Sequence, residues 1–275
     1  MPIDYLQKIH TRTFSTDAYR IDPCSENNAV IEGFYVFNKD PKEVKQLIFN
    51  DGFPVLVFLQ NDSHSITVTS MNDTYQIKAA WASAGPIKNS YIQYNDNTKQ
   101  TLIVRFFPGA FNNLFGLNAQ YFKDSPIAPF EHIASKCYFN LGAFFDCKTI
   151  EKKIDFIGSF VHRRASRDVM SGPLSKILEH IKIMKGNAMV LGLTNNAGVS
   201  YKWLERNFSR SIGILPKDFL QLQRFIHAYL DLVDANDVDL THIAISYGYY
   251  DANHFLKDFK SYTGKSPMDY LKSRF

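Results

Sequence analysis

Cysteine is scarce: Cys24, Cys137 and Cys147 are the three in 275 residues, with no CxxC pair and no Cys–His cluster. That spacing excludes a zinc module and a disulfide framework, and the thiols read as reduced cysteines of a cytoplasmic protein. Long apolar runs are missing too. No segment approaches the roughly 20 residues of a membrane span, and Met1 to His10 carries no apolar leader core, so no membrane partner is expected. Within the strand-rich region the one histidine is His64, so the close His-x-His with a nearby glutamate used by metal-dependent barrel enzymes cannot be assembled. Cys24, in Pro23-Cys24-Ser25, lacks the setting of a methyl-accepting cysteine. No serine–histidine or paired-carboxylate spacing stands out. The chain reads as a non-enzyme needing no metal and no cofactor.

What is present is a core for two domains: 45% of the residues are hydrophobic and 15% aromatic. The net charge of +4 is unevenly spread, with 13 Lys/Arg against 10 Asp/Glu in residues 174–275 and 18 against 17 in the longer remainder. A mild basic bias in one segment permits nucleic-acid binding without establishing it.

From Val30 to Pro108 short β-branched and aromatic runs alternate with breakers such as Asp51-Gly52, Asn61-Asp62 and Gly85-Pro86. The runs are Val30–Phe37, Pro54–Leu59, His64–Ser70, Tyr75–Trp81, Ser90–Tyr94 and Thr101–Phe107. Six or seven such runs predict an antiparallel β-barrel or sandwich. Gly109–Leu117, Phe130–Phe145 and Ile150–Arg164 are predicted helices, the last with an apolar stripe at Ile150, Ile154, Ile157 and Val161. This gives an α+β chain of two domains: 1–165, β-rich and sensor-like with a helical connector; a linker at 166–173, in a basic stretch that begins at His162-Arg163-Arg164; and an all-α domain at 174–275.

The C-terminal part contains an internal repeat. Leu204, Phe208, Gly213, Pro216 and Phe219 recur as Phe255, Phe259, Gly264, Pro267 and Tyr270, each displaced by 51 positions. In the first unit Val190–Ala197 is a short helix, Gly198-Val199 a turn, and Ser200 the N-cap of a helix over Ser200–Arg210. In the second, Leu240–Tyr247, Gly248 and Asp251 play the same parts for Asp251–Tyr262. Helix, glycine turn, helix is the helix-turn-helix plan, although many such pairs never touch DNA. Leu215–Asp234 joins the units with helical periodicity over about 30 Å, close to the ~34 Å repeat of the major groove. Away from their inward faces the two second helices offer Lys202, Glu205, Arg206 and Arg210, then Ala252, Asn253, Lys257 and Lys260. These include residue types that pair with guanine and adenine edges or meet a thymine methyl.

These residues resemble the DNA-binding domain of AraC/XylS-type transcriptional regulators. The match runs from about Ala188 to Tyr270 and is most specific in Ile243-Ala244, Tyr247-Gly248-Tyr249, Asp251, His254-Phe255, Phe259-Lys260, Gly264, Ser266-Pro267 and Tyr270. It departs at Thr194-Asn195-Asn196-Ala197, where the family usually has an alanine and a leucine. The resemblance implies about seven helices and two DNA-reading helices, with reading positions at Lys202, Glu205, Arg206, Ala252, Asn253 and Lys257. It also implies double-stranded DNA and RNA polymerase as partners.

Further upstream, Glu32-Gly33-Phe34-Tyr35, Ala84-Gly85-Pro86 and Arg105-Phe106-Phe107-Pro108-Gly109-Ala110 resemble a domain of unknown function found ahead of such units. That domain looks like a relative of the β-barrel sensors of sugar-responsive regulators. A barrel mouth lined by Tyr35, Trp81, Tyr91 and Arg105 is the expected place for a small effector, and packing in the barrel core is the alternative for each. Arg105, opposite Val104 and Phe106 along its strand, must point to solvent or find a partner. The Ile150–Arg164 stripe could pair two chains in a homodimer. A protein-binding scaffold whose helical domain does not read DNA is the rival reading.

Overall fold

The computed structural model describes residues 1–38, 45–71, 73–123, 125–164, 172–235 and 237–272. The chain opens with helix α1 (Ile3–Thr11) and strands β1 (Ala18–Ile21), β2 (Ile31–Asn38), β3 (Gln46–Leu47), β4 (Val55–Leu59) and β5 (Ser65–Thr69). Strands β6 (Thr74–Lys78), β7 (Ala80–Ser83), β8 (Tyr91–Tyr94) and β9 (Gln100–Phe106) follow. Helix α2 (Ala110–Phe115), a short 3-10 turn (Ala119–Phe122) and strand β10 (Ile127–Pro129) lead to helices α3 (Phe130–Cys137), α4 (Leu141–Asp146) and α5 (Ile150–Arg164). The strands form two antiparallel sheets, β1-β2-β9-β4-β7-β10 and β3-β8-β5-β6. The β-rich expectation is met as a sandwich of two sheets.

Strand periodicity explains why the larger sheet is buried on both faces. Successive side chains point to opposite sides, so Tyr35, Phe37, Val55, Val57 and Ile103 face the smaller sheet. Phe34, Val36, Leu56, Phe58, Leu102 and Val104 face helices α2 to α5. Every residue of β4 is buried in consequence.

Several expected boundaries are corrected. Tyr75–Trp81 is not one strand, because Ala79 adopts a left-handed φ of 62° and passes the chain from the smaller sheet to the larger. Phe130–Phe145 is two helices: Tyr138, at φ 58°, closes α3, and the Asn140 side chain caps α4 at Ala143 N. The α5 stripe is not a free surface for a second chain, since Ile157 and Val161 are buried in this chain's own core with Ile150 and Ile154 packed beside them. Of the expected linker at 166–173, residues 166–171 lie outside the described residues. Gly172 and Pro173 open the next helix.

That helix, α6 (Gly172–Ile183), is followed by α7 (Val190–Ala197), α8 (Tyr201–Ser211), α9 (Pro216–Asp234), α10 (Leu240–Ser246), α11 (Ala252–Thr263) and α12 (Pro267–Lys272). The helices do not enclose a core of their own throughout. Leu222, Phe225, Ile226 and Tyr229 of α9 join the same apolar cluster as the sandwich interior. Phe49 of the strand region packs at 5.3 Å, ring to ring, against both Phe225 and Tyr262.

This seam holds a titratable group of consequence. His227 on α9 is driven from 6.5 to about 4, first by burial and then by His10 and Lys185; Asp51 and Asp231 pull the other way. A histidine held neutral when folded loses stability as the unfolded chain takes up its proton. The wild type is therefore expected to weaken between pH 6.5 and about 4, by on the order of 2–3 kcal/mol. Denaturant midpoints measured across that window check this, and His227→Gln should flatten the slope.

Candidate nucleic-acid interface

Both repeated units are built as the sequence predicts. In the first, Gly198 ends α7 at φ 64°, and its N–H and that of Val199 donate to the carbonyls of Asn195 and Thr194. The Ser200 side chain then accepts from Trp203 N and starts α8, supplying one of the bonds that a helix N-terminus lacks. Leu204 and Phe208 are fully buried, so the opposite face of α8 is turned out. Lys202, Arg206 and Arg210 are exposed there. Glu205 is half-buried and accepts from the Tyr201 hydroxyl at 2.6 Å.

The second unit repeats the construction more firmly. Asp239 caps α10 through Thr241 N and His242 N, each at 2.9 Å. Gly248 turns at φ 75°, and Asp251 accepts from His254 N at 2.9 Å to start α11. Phe255 and Phe259 are fully buried. Asn253, Lys257 and Lys260 are exposed, with Ala252 half-buried. Asp258, the one acid within α11, accepts from Gln221 at 2.7 Å and from the Tyr249 hydroxyl at 3.1 Å. Those bonds draw the carboxylate inward and leave the outer face basic.

Between the units α9 has 19 residues, or about 28 Å of helix. Its end is not the only support. The α11 terminus is tied to the strand region by Asn89 N donating to Tyr262 O at 2.8 Å and by the Tyr91 hydroxyl donating to Thr263 O at 2.6 Å. At the end of α8 the Asn112 side chain donates to Ser211 O at 3.4 Å. Both second helices are thus fixed at their C-termini, while the halves bearing Lys202, Arg206, Asn253 and Lys257 stay open. Sequence reasoning missed these anchors, because a single backbone amide or polar side chain, whether in a loop (Asn89), a strand (Tyr91) or a helix (Asn112), carries no local signal of a distant partner.

The four residues expected at a barrel mouth do not share one lining. Trp81 is fully buried in the sandwich interior. Tyr91 is spent on the α11 anchor. Tyr35 and Arg105 meet at Glu32: the Tyr35 hydroxyl donates to it at 2.8 Å, and Arg105 Nη1 lies 3.5 Å from it. Burial and the Glu32 charge push the Tyr35 hydroxyl up to about 12.

Arg105 is buried rather than solvated. It pairs with Asp51 and lies 3.9 Å over the Phe53 ring. Asp51 also shares a 2.8 Å hydrogen bond with His10, and its carbonyl accepts from Gln223 on α9. Burial alone would raise the Asp51 carboxyl, but Arg105 and His10 more than reverse this and hold it far below the usual carboxylate range. An ionic cluster thus sits where the sandwich meets α9.

The Helix-turn-helix domain family matches residues 193–273. A Domain of unknown function (DUF6597) matches residues 19–128. Uncharacterized HTH-type transcriptional regulators of Staphylococcus aureus strains MSSA476 and MRSA252 are 34% identical over 82 residues. That stretch is 30% of this chain and 11% of those proteins, so the chain matches about a tenth of their length. Among solved structures, ToxT from Vibrio cholerae O395 is similar at 15% identity and a TM-score of 0.44, over 95% of this chain and 98% of that one. The DNA-binding domain of AdpA, in complex with a target DNA, is 23% identical with a TM-score of 0.34, over 38% of this chain and 93% of that one.

Proposed function

We propose that this chain, whose C-terminal part is an AraC-family helix-turn-helix domain, is a sequence-specific DNA-binding regulator of transcription in the cytoplasm. The observation that supports this best is the pair of capped helices, α8 and α11. Both present basic side chains outward, α11 with the amide of Asn253 beside them, and a helix about 28 Å long joins their units. In this reading α8 enters one major groove with Lys202, Glu205 and Arg206, and α11 enters the next with Ala252, Asn253 and Lys257. Arg210 and Lys260, nearer the helix ends, meet backbone phosphates. RNA polymerase is the expected protein partner, and the sandwich domain controls the DNA-binding part through a small effector or self-association. Catalysis has no part in this reading.

Arg206→Ala is expected to cost on the order of 1–3 kcal/mol on a selected site and to relax preference at one base pair. Lys260→Ala should weaken all sequences alike and lower the salt slope by about one. Pro267→Ala, at the buried start of α12, should leave base preference unchanged. Fluorescence anisotropy on matched and mismatched duplexes over a salt series separates these outcomes. Wild-type binding by Arg206→Ala and Lys260→Ala on every duplex would remove this surface from the reading and favour a protein-binding scaffold.

A further inference from the structure

A cleft of about 700 Å³ lies between α5 and the segment joining β1 to β2, on the far side of the larger sheet from the smaller one. Its size is that of a small-molecule site. The floor is apolar, with Ile21, Phe34 and Ile154. Its walls are acidic: Asp22 and Glu26 come from the β1–β2 segment, and Glu151 and Asp155, one helical turn apart, come from α5. The lining cation is Arg163, and the His162 ring Nδ1 lies 3.2 Å from the Glu26 carboxylate. Arg20, beside the cleft, pairs with Asp22. Carboxylates remain in excess over cations, and Asp155 is exposed on the helix.

One further side chain gives the cleft a chemical preference. Asn27 lines it and is 2% exposed. The Asn27 amide nitrogen donates to Gly158 O at 3.0 Å and to the Cys24 sulfur at 3.2 Å, which fixes the orientation of the amide. Gly158 leaves room for this, since a Cβ there would lie 3.2 Å from that nitrogen. The amide oxygen is buried and receives no hydrogen bond from the protein. A buried acceptor in a native fold calls for a donor.

We propose that this cleft binds a small organic cation, a primary ammonium group on an apolar stem. An ammonium is donor-only, with three N–H groups. One meets the Asn27 oxygen and the others meet the acidic walls, while the stem covers Phe34 and Ile154. A metal ion fits less well: the floor is apolar, and among the described residues no group of three or more His, Cys, Asp or Glu is placed to hold one. An anion would face the carboxylates. The inference deepens the effector-controlled reading above. Because it is tested without DNA, failure of this site and failure of DNA reading are distinguishable.

The test is calorimetric titration of the full chain with 2-phenylethylammonium, and with 2-phenylethanol as its neutral isostere. Saturable one-to-one binding of the amine is expected, about tenfold or more tighter than the alcohol. Glu151→Gln/Asp155→Asn, altered at two exposed positions, should weaken the amine about tenfold without moving Tm. In an NMR titration the Asn27 side-chain amide signal should shift with the same midpoint. The proposal is overturned by no saturable binding in the millimolar range, by equal binding of the alcohol, by undiminished binding to the double variant, or by an Asn27 signal that stays still.

Discussion

Arg105→Met is expected to cost the fold about 3–5 kcal/mol at neutral pH. Methionine retains the apolar contact with Phe53 but strands Asp51, whose carboxylate is 1% exposed, without its guanidinium partner. Breaking a buried pair on one side is more damaging than removing it, because the remaining charge cannot recover its hydration. Asp51→Leu/Arg105→Met should therefore be more stable than Arg105→Met alone. The pH dependence has a definite sign. Asp51 is held below its ordinary range in the wild type, so its contribution is present at neutral pH and is lost as the pH falls below about 4. In Arg105→Met burial acts on Asp51 with less opposition and favours the protonated form. The gap between variant and wild type should narrow as the pH falls. Urea denaturation at pH 7 and in mild acid measures both effects; a neutral-pH loss under about 1 kcal/mol would contradict the pairing.

Gly52→Ala should act a few ångströms away, by sterics alone. Gly52 sits at φ +91°, where a side chain is strained, and a Cβ there would lie 2.4 Å from Cε2 of Phe219 on α9. Phe219 is 3% exposed and packs against Phe208 at 5.7 Å, so its ring has little freedom to retreat. Left-handed strain of about 1–2 kcal/mol adds to overpacking of about 1–3 kcal/mol. The expected loss is about 2–5 kcal/mol. Since the contact joins the sandwich to the helical part, limited proteolysis should show faster cleavage between the two. Wild-type stability and an unchanged digestion pattern would mean that the seam tolerates separation there.

Local order was legible where one strong signal governs it. Ile150–Arg164 and Val190–Ala197 are helices with the predicted bounds. In the repeat, Ser200, Asp251 and the glycines 198, 248 and 264 fix the ends of elements by capping and by left-handed turns. The breaks at Ala79 and Tyr138 were not legible, because neither residue type announces a positive φ. Helix α1 was also missed: Ile3, Tyr5, Leu6 and Ile9 are its four buried positions, but nine residues are too short a run to declare a face. The long stripe of α9 reads as the seam of a helical bundle, yet the same residues close the sandwich interior.

The candidate site divides the same way. Which residues of α8 and α11 face outward follows from where Leu204, Phe208, Phe255 and Phe259 face inward. That Asp258 turns inward depends on Gln221 and Tyr249, which no local pattern links to it. Arg105 was recognisable as a charge needing an explanation, but its partner lies 54 positions earlier, in an Asp-Gly turn that reads only as a breaker. The cleft beside α5 joins residues more than a hundred positions apart and had no signature in the sequence.

Selection from a pool of random duplex DNA at near-physiological salt, followed by sequencing, tests the central claim most directly. The account predicts enrichment of two short elements about ten base pairs apart, with one element lost in Arg206→Ala and the other in Lys257→Ala. Binding without enrichment, or enrichment that both substitutions leave intact, would contradict paired reading of the major groove by α8 and α11.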